Sequence, residues 1–259
     1  MRKQWIALLS LIFLVCSSFY YFHKKKPTLY IIGDSTVRNG DGTGANKQWG
    51  WGSFIADYFD TTEIAVSNQA IGGRSSRTFL TEGRWDKILS TLQKGDFVIM
   101  QFGHNDASPL DDTARARGTI KGVGNDSAVI YNPIRKVQET VYSYGHYMRL
   151  FVQQAKAKGA TAIVCSLVPR DNWKDGKVTR SADSYAGWAE TIAREEGAYY
   201  INLNEKIAGR YEQLGQEKVH AYFPADHTHT DKAGAELSAS IVIEELRSLP
   251  LKSLTKHLK

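Results

Sequence analysis

The chain is predicted to be an α/β protein, a three-layer α/β/α sandwich with a central, mostly parallel five-stranded sheet. Three observations lead there. With 259 residues, 42% of them apolar, it can bury roughly three-quarters of its unfolded surface around one core. Short β-rich runs recur along it and are almost continuously apolar, as strands covered on both faces must be. Helical periodicity fills the intervals between and after those runs, and strands separated by helices imply right-handed crossovers in a parallel sheet.

In order, the strands are LYIIG at 29–33, EIAVS at 63–67, FVIMQF at 97–102, TAIVCSL at 161–167 and YYINL at 199–203. Helices are expected at 51–59, 85–93, 144–158, 182–196, 204–214 and 233–246. Residues 107–132 form one long irregular stretch with three glycines and Arg115, Arg117 and Lys121, which reads as a loop bordering the site. Partial alternation over 129–142 suggests a small hairpin. No internal repeat and no second domain boundary is visible, so residues 27–250 read as one domain, with 1–26 as a leader and 251–259 as a basic tail.

A net charge of +6 suggests a nucleic-acid binder until the charges are located. Arg2, Lys3, Lys24, Lys25 and Lys26 precede any acid, and Lys252, Lys256 and Lys259 close the chain. Without these ends the body is slightly acidic, so a phosphate-tracking surface is not expected. Cys16 and Cys165 are the two cysteines, with no zinc spacing, which excludes a disulfide scaffold and a structural zinc site. Cys165 stands in an apolar run, where an inert core thiol is expected.

Arg2 and Lys3 precede an apolar core at 6–15, the pattern of a secretory signal peptide. The rival reading is an uncleaved membrane anchor, because the aromatic residues 19–22 extend the apolar run to near spanning length. Either way the domain is expected to be exported, periplasmic or extracellular. A monomer is expected.

Ligands of open α/β sheets bind outside the carboxyl ends of the strands, so chemistry is sought directly after each strand. Gly33-Asp34-Ser35-Thr36 follows the first and puts a serine hydroxyl on a glycine-permitted turn. Taken alone it is an ordinary turn with a helix cap. Asn68 to Ser75 follows the second, and its paired glycines, Gly72 and Gly73, expose an unhindered N–H beside Arg74. Gly103-His104-Asn105-Asp106 follows the third, and Asn105 offers a neutral N–H donor suited to an oxygen that becomes charged only transiently. Asp226-His227-Thr228-His229-Thr230 precedes the last helix, and a spacing of three lets Asp226 reach the His229 Nδ1, leaving Nε2 free as a base. His227 and His229 also permit a metal reading, which ranks below the base because no third ligand is evident. Together the four segments supply a hydroxyl, a base, an orienting acid and oxyanion donors, the parts of a serine esterase. No GxSxG elbow is present, so the α/β-hydrolase family is not meant.

At these residues the sequence resembles the GDSL/SGNH hydrolases, of flavodoxin-like fold, whose blocks carry Ser, Gly, Asn and His in this order. It is most similar to the rhamnogalacturonan acetylesterases, through GDST at 33–36, NQAIGGRSSR at 68–77, FGHND at 102–106 and FPADHTHTDKAGAE at 223–236. The resemblance implies Ser35 as nucleophile, His229 as base and Asp226 as its orienter. It implies an oxyanion hole of the Ser35 and Gly73 N–H groups with the Asn105 side chain. The paired cysteines of fungal relatives are missing. The implied activity is removal of O-acetyl groups from a pectic polysaccharide, with no cofactor and no metal. A galacturonate carboxylate could meet Arg74, Arg77, Arg115, Arg117 or Arg170, and Trp173 could stack on a sugar face; of these, Arg74 and Trp173 are the expected substrate contacts. The rival readings are a lipid or thioester hydrolase of the same fold and a non-catalytic glycan-binding protein.

Overall fold

The structure, a computed structural model, describes residues 26–259, so the expected leader lies outside the described residues apart from Lys26. Its strands are β1 (Thr28–Gly33), β2 (Ala65–Asn68), β3 (Phe97–Gln101), β4 (Ser127–Asn132), β5 (Val137–Tyr142), β6 (Thr161–Cys165), β7 (Trp173–Lys174), β8 (Lys177–Val178) and β9 (Tyr199–Ile201). Its α-helices are α1 (Ser76–Thr81), α2 (Arg84–Thr91), α3 (Tyr144–Ala157), α4 (Tyr185–Glu195), α5 (Leu203–Leu214), α6 (Gln216–His220), α7 (Lys232–Ser248) and α8 (Lys252–Thr255). Among the described residues no helix is long and apolar enough to cross a membrane.

Five strands form one sheet in the order β2-β1-β3-β6-β9, every neighbouring pair parallel. Because side chains alternate across a strand, Leu29 and Ile31 enter one core while Tyr30 and Ile32 enter the other. The first core is covered by α5, α7, α8 and residues 51–59, and the second by α1, α2, α3 and α4. The three-layer sandwich with an all-parallel centre is therefore as expected. From β1 the chain crosses to β2 on one side, and β3 then lies on the other. That reversal opens a crevice above the carboxyl ends of β1 and β3.

The expected elements shift where local hydrogen bonds compete. Residues 51–59 are not one helix but two short 3-10 turns, Trp51–Ser53 and Ile55–Tyr58. The N–H groups of Trp51 and Gly52 donate to Thr36 and Val37 carbonyls, which docks this backbone against the turn after β1. The second strand starts at Ala65 rather than residue 63, because the N–H groups of Glu63 and Ile64 both turn back to the Asp60 carbonyl. The last strand stops at Ile201, since Asn202 caps α5 through its side chain. The hairpin is present as the antiparallel pair β4–β5. The segment 251–259, read as a basic tail, is packed: Leu251 and Leu254 enter the first core and the Lys259 N–H donates to the Tyr58 carbonyl at 2.9 Å. Cys165 is fully buried and burial pushes its thiol up, as an inert core thiol requires.

Candidate active site

Gly33 ends β1 where no side chain fits, for an added Cβ would lie 2.5 Å from Val37 Cγ2 and 2.6 Å from the Gln101 carbonyl oxygen. The chain then turns on Asp34, which is wholly buried and whose Oδ1 accepts the Thr36 N–H at 2.9 Å and the Thr36 hydroxyl at 2.7 Å. Thr36 Oγ1 accepts from Gln101 Nε2 at 2.7 Å, and Gln101 Oε1 accepts the Trp51 indole N–H at 2.8 Å. This buried relay fixes the residues on either side of Ser35, leaving its side chain as the half-exposed member of the turn.

The Asp226–Thr230 turn reaches the same point from the other end of the chain. It is tied down by a bridge in which the Trp49 N–H donates to the Thr230 carbonyl at 2.8 Å. Asp226 Oδ1 accepts the N–H groups of Thr228 and His229 at 2.7 and 2.8 Å, and its Oδ2 lies 2.7 Å from His229 Nδ1. His229 Nε2 is 2.8 Å from Ser35 Oγ, across 194 positions of sequence. With Nδ1–H donated to the carboxylate, Nε2 is left to accept the serine proton. Partial burial raises the Asp226 pKa, but the bonds from the His229 ring and from the His229 and Thr228 N–H groups outweigh it and bring the carboxyl to about 2. His229 is thus paired with a full negative charge.

The remaining expected residues gather around this pair. A Cβ added to Gly72 would sit 3.5 Å from Ser35 Cβ, and Gly73 takes a left-handed φ of 75° that suits glycine. Asn105 Nδ2 donates to the Arg74 carbonyl at 3.0 Å, which fastens the third segment to the second and still leaves its other N–H. Next to it, buried Asp106 accepts the Ser76 N–H at 3.1 Å and the Ser76 hydroxyl at the start of α1. Burial pushes this carboxyl up to about 7, against the pull of those Ser76 bonds. His104 is pushed down to about 4, chiefly by burial, and is neutral.

The expected substrate contacts fall differently. Arg74 turns from the crevice to donate to Glu82 at 3.0 Å and to the Gly72 carbonyl at 3.1 Å. Trp173 lies on β7, its indole N–H held by Asp171 at 2.7 Å, and lines an open cavity of about 670 Å³ with Asp226 and His227. Arg77 has no exposed surface and is paired with Glu139 at 2.8 Å. Arg117 binds Ser108 at 3.0 Å and faces Asp112 at 3.6 Å.

A family model described as "GDSL-like Lipase/Acylhydrolase family" matches residues 31–237. The chain belongs to that family. As a GDSL-like acylhydrolase it is a carboxylic ester hydrolase. It is 34% identical over 218 residues to a rhamnogalacturonan acetylesterase of Emericella nidulans, covering 84% of this chain and 83% of the relative. A probable rhamnogalacturonan acetylesterase of Bacillus subtilis is 32% identical over 86% of this chain and 94% of the relative. Among solved structures, the Bacillus subtilis protein YxiM superposes with a TM-score of 0.69 at 27% identity, covering 86% of this chain. The GDSL-like chain spans 57% of that longer protein's length. An acetylxylan esterase of Geobacillus stearothermophilus shares the fold at 17% identity with a TM-score of 0.58, covering 85% of this chain and 94% of the other.

Sequence reasoning missed the Trp51–Gln101–Thr36 relay beneath Ser35 and the Asp106–Ser76 clasp. The first joins three distant segments and has no local pattern. The second had a partial signal, since Ser75 and Thr78 stand at capping-box spacing and announce a helix start that Asp106 can meet.

Proposed function

We propose that this GDSL-like hydrolase removes O-acetyl groups from a pectic polysaccharide, most simply rhamnogalacturonan, through an acetyl-Ser35 intermediate. The observation that carries the proposal is the single imidazole that meets the Ser35 hydroxyl with one nitrogen and the Asp226 carboxylate with the other. The two rhamnogalacturonan acetylesterases among its relatives support the substrate.

His229 Nε2 takes the Ser35 proton as Oγ attacks the acetyl carbonyl carbon, and Asp226 stabilises the resulting imidazolium. The carbonyl oxygen becomes an oxyanion received by the Ser35 and Gly73 N–H groups and by the free N–H of Asn105, each worth about 3 kcal/mol in comparable sites. The C–O bond to the sugar breaks, and its oxygen leaves with the proton held by His229. Water then gives a proton to His229, attacks the acetyl-serine, and releases acetate and the restored hydroxyl. The face of Trp173, its indole fixed by Asp171, would receive a sugar ring beside the reacting one. A polymer that cannot enter a cell accords with export by the leader, which fractionation of expressing cells would check.

Ser35→Ala is expected to abolish p-nitrophenyl acetate turnover while circular dichroism reports a folded protein. Retained turnover would end the proposal. A chain-length series of p-nitrophenyl esters should fall steeply after acetate; a rise toward long acyl chains would favour lipid or thioester hydrolysis instead.

A further inference from the structure

We infer that Arg115 and Arg170 are the specificity-determining carboxylate receptors of this site, one on each side of the Ser35–His229 pair, and that they select a substrate carrying uronate groups. The inference rests on the reading of the chain as a glycan acetylesterase and specifies what the glycan must present.

Most guanidinium groups around the crevice are already engaged. Arg38 donates to the Asp41 and Asn68 carbonyls, Arg74 to Glu82, Arg77 to Glu139 and Arg117 to Ser108. Among the described residues, Arg115 and Arg170 make neither a hydrogen bond through the side chain nor an ion pair. Their positions bracket the nucleophile: Arg115 lies against the loop after β2, while Arg170 follows β6, and Ser35 follows β1 between them.

Arg115 lies directly over Gly73. Its Nη1 occupies the space a side chain at Gly73 would take, 1.3 Å from where a Cβ would stand. Gly73 is next to Gly72, which abuts Ser35. The loop backbone beside Arg115 is anchored at Ala116, 1% exposed with a left-handed φ of 48°, whose N–H donates to the Asp112 carbonyl at 2.6 Å. A buried alanine in that conformation costs about 1–2 kcal/mol, which the flanking anchors at Arg117 and Thr119 must offset.

Arg170 lines a cavity of about 180 Å³ with Gly103, His104, Val168 and Tyr185, adjacent to Asn105 in sequence. Its neighbour Asp171 donates its N–H to the His227 carbonyl at 2.9 Å, which ties this segment to the His229 turn. His104 in the same cavity is neutral, so Arg170 is the cation there. The open cavity beside the pair is lined by Asp171 and Asp226, acids that disfavour an anionic substrate unless positive groups receive its charges. Two unengaged guanidiniums, each able to clasp a carboxylate through paired N–H donors, supply that reception.

The test compares kcat/KM for acetate release from acetylated pectic oligosaccharides with free carboxylates against the same oligosaccharides fully methyl-esterified. The wild type, Arg115→Gln, Arg170→Gln, their double variant and Arg74→Gln are used, at low salt. The wild type should favour the free acid, and each single variant should lower the free-acid to methyl-ester ratio about tenfold, as loss of one charge-assisted pair implies. The double variant should lower it further, with the change in KM rather than kcat. A wild-type ratio near one, a double variant that keeps the wild-type ratio, or an Arg74→Gln effect larger than either single variant would overturn the inference. Equal acetate release from neutral acetylated xylan and from the free-acid pectic substrate would sink it while leaving the glycan acetylesterase reading intact. Turnover of p-nitrophenyl acetate with no acetate from any glycan would bring down both.

Discussion

His229 is useful only because each of its nitrogens is committed. Asp226 fixes the tautomer, and replacing it with asparagine would offer a donor where an acceptor is needed. Asp226→Asn is therefore expected to lower kcat for p-nitrophenyl acetate by about 10³–10⁴-fold, as in comparable triads, with little change in KM. The sign of its pH effect follows from its lowered pKa of about 2. Stability contributed by this carboxylate is present above its ordinary range near pH 4 and is lost as the pH falls toward 2. An acid-unfolding titration should show the wild type and Asp226→Asn converging below pH 2. At this scale the sequence was most readable where one short motif holds the whole function, as with Ser35 and the Asp226–His229 spacing. It was opaque for Arg77, which stands among serines in SSRT like any surface arginine and is nonetheless sealed in the interior. Arg74 was likewise misleading, because only the fold brings Glu82 within reach of its guanidinium.

Helix α1 and the β4–β5 hairpin are separate in sequence and joined by one buried contact. Arg77 reaches Glu139 on β5 and also donates to the Leu110 and Gly118 carbonyls at 2.8 and 2.9 Å, so it binds the helix, the hairpin and the Arg115 loop together. Arg77→Ala removes the nearer of two cations at Glu139, Arg135 remaining at 3.6 Å, and strands the Leu110 and Gly118 carbonyls, a change expected to cost about 3 kcal/mol. For a domain of this size that lowers Tm by on the order of 10 °C, measurable by calorimetry. Arg77→Met with Glu139→Leu should recover only part of the loss, since the buried carboxylate is gone but the Leu110 and Gly118 carbonyls still lack the guanidinium. Strands of the sheet were legible because apolar continuity signals burial on both faces. The 3-10 turns at 51–59 were not, since their apolar spacing matches an α-helix and only docking against Thr36 and Val37 diverts the backbone.

Across the whole molecule the layers divide labour. The carboxyl ends of β1 and β3 carry the chemistry, whereas the opposite end of the sheet is closed by α8, whose neighbours Lys256 and His257 line a cavity with Pro27, Gly95 and Asp96. Leu254, fully buried there, should cost about 2–5 kcal/mol on replacement by alanine. Because it is remote from Ser35, thermal melting should register that loss while kcat/KM for p-nitrophenyl acetate stays at the wild-type value. Layer architecture was predictable from the order of runs and periods, but the docking of 251–259 was not, because three lysines mask the two leucines that anchor it.

The contact between Ser35 and His229 also makes the esterase a clock for its own assembly. Every strand of the sheet is threaded between the two residues or adjoins them, so closing that contact demands nearly the longest chain loop the molecule contains. After dilution from denaturant, helical ellipticity should return first and ester cleavage last, and the delay between them would time the final closure of the polypeptide.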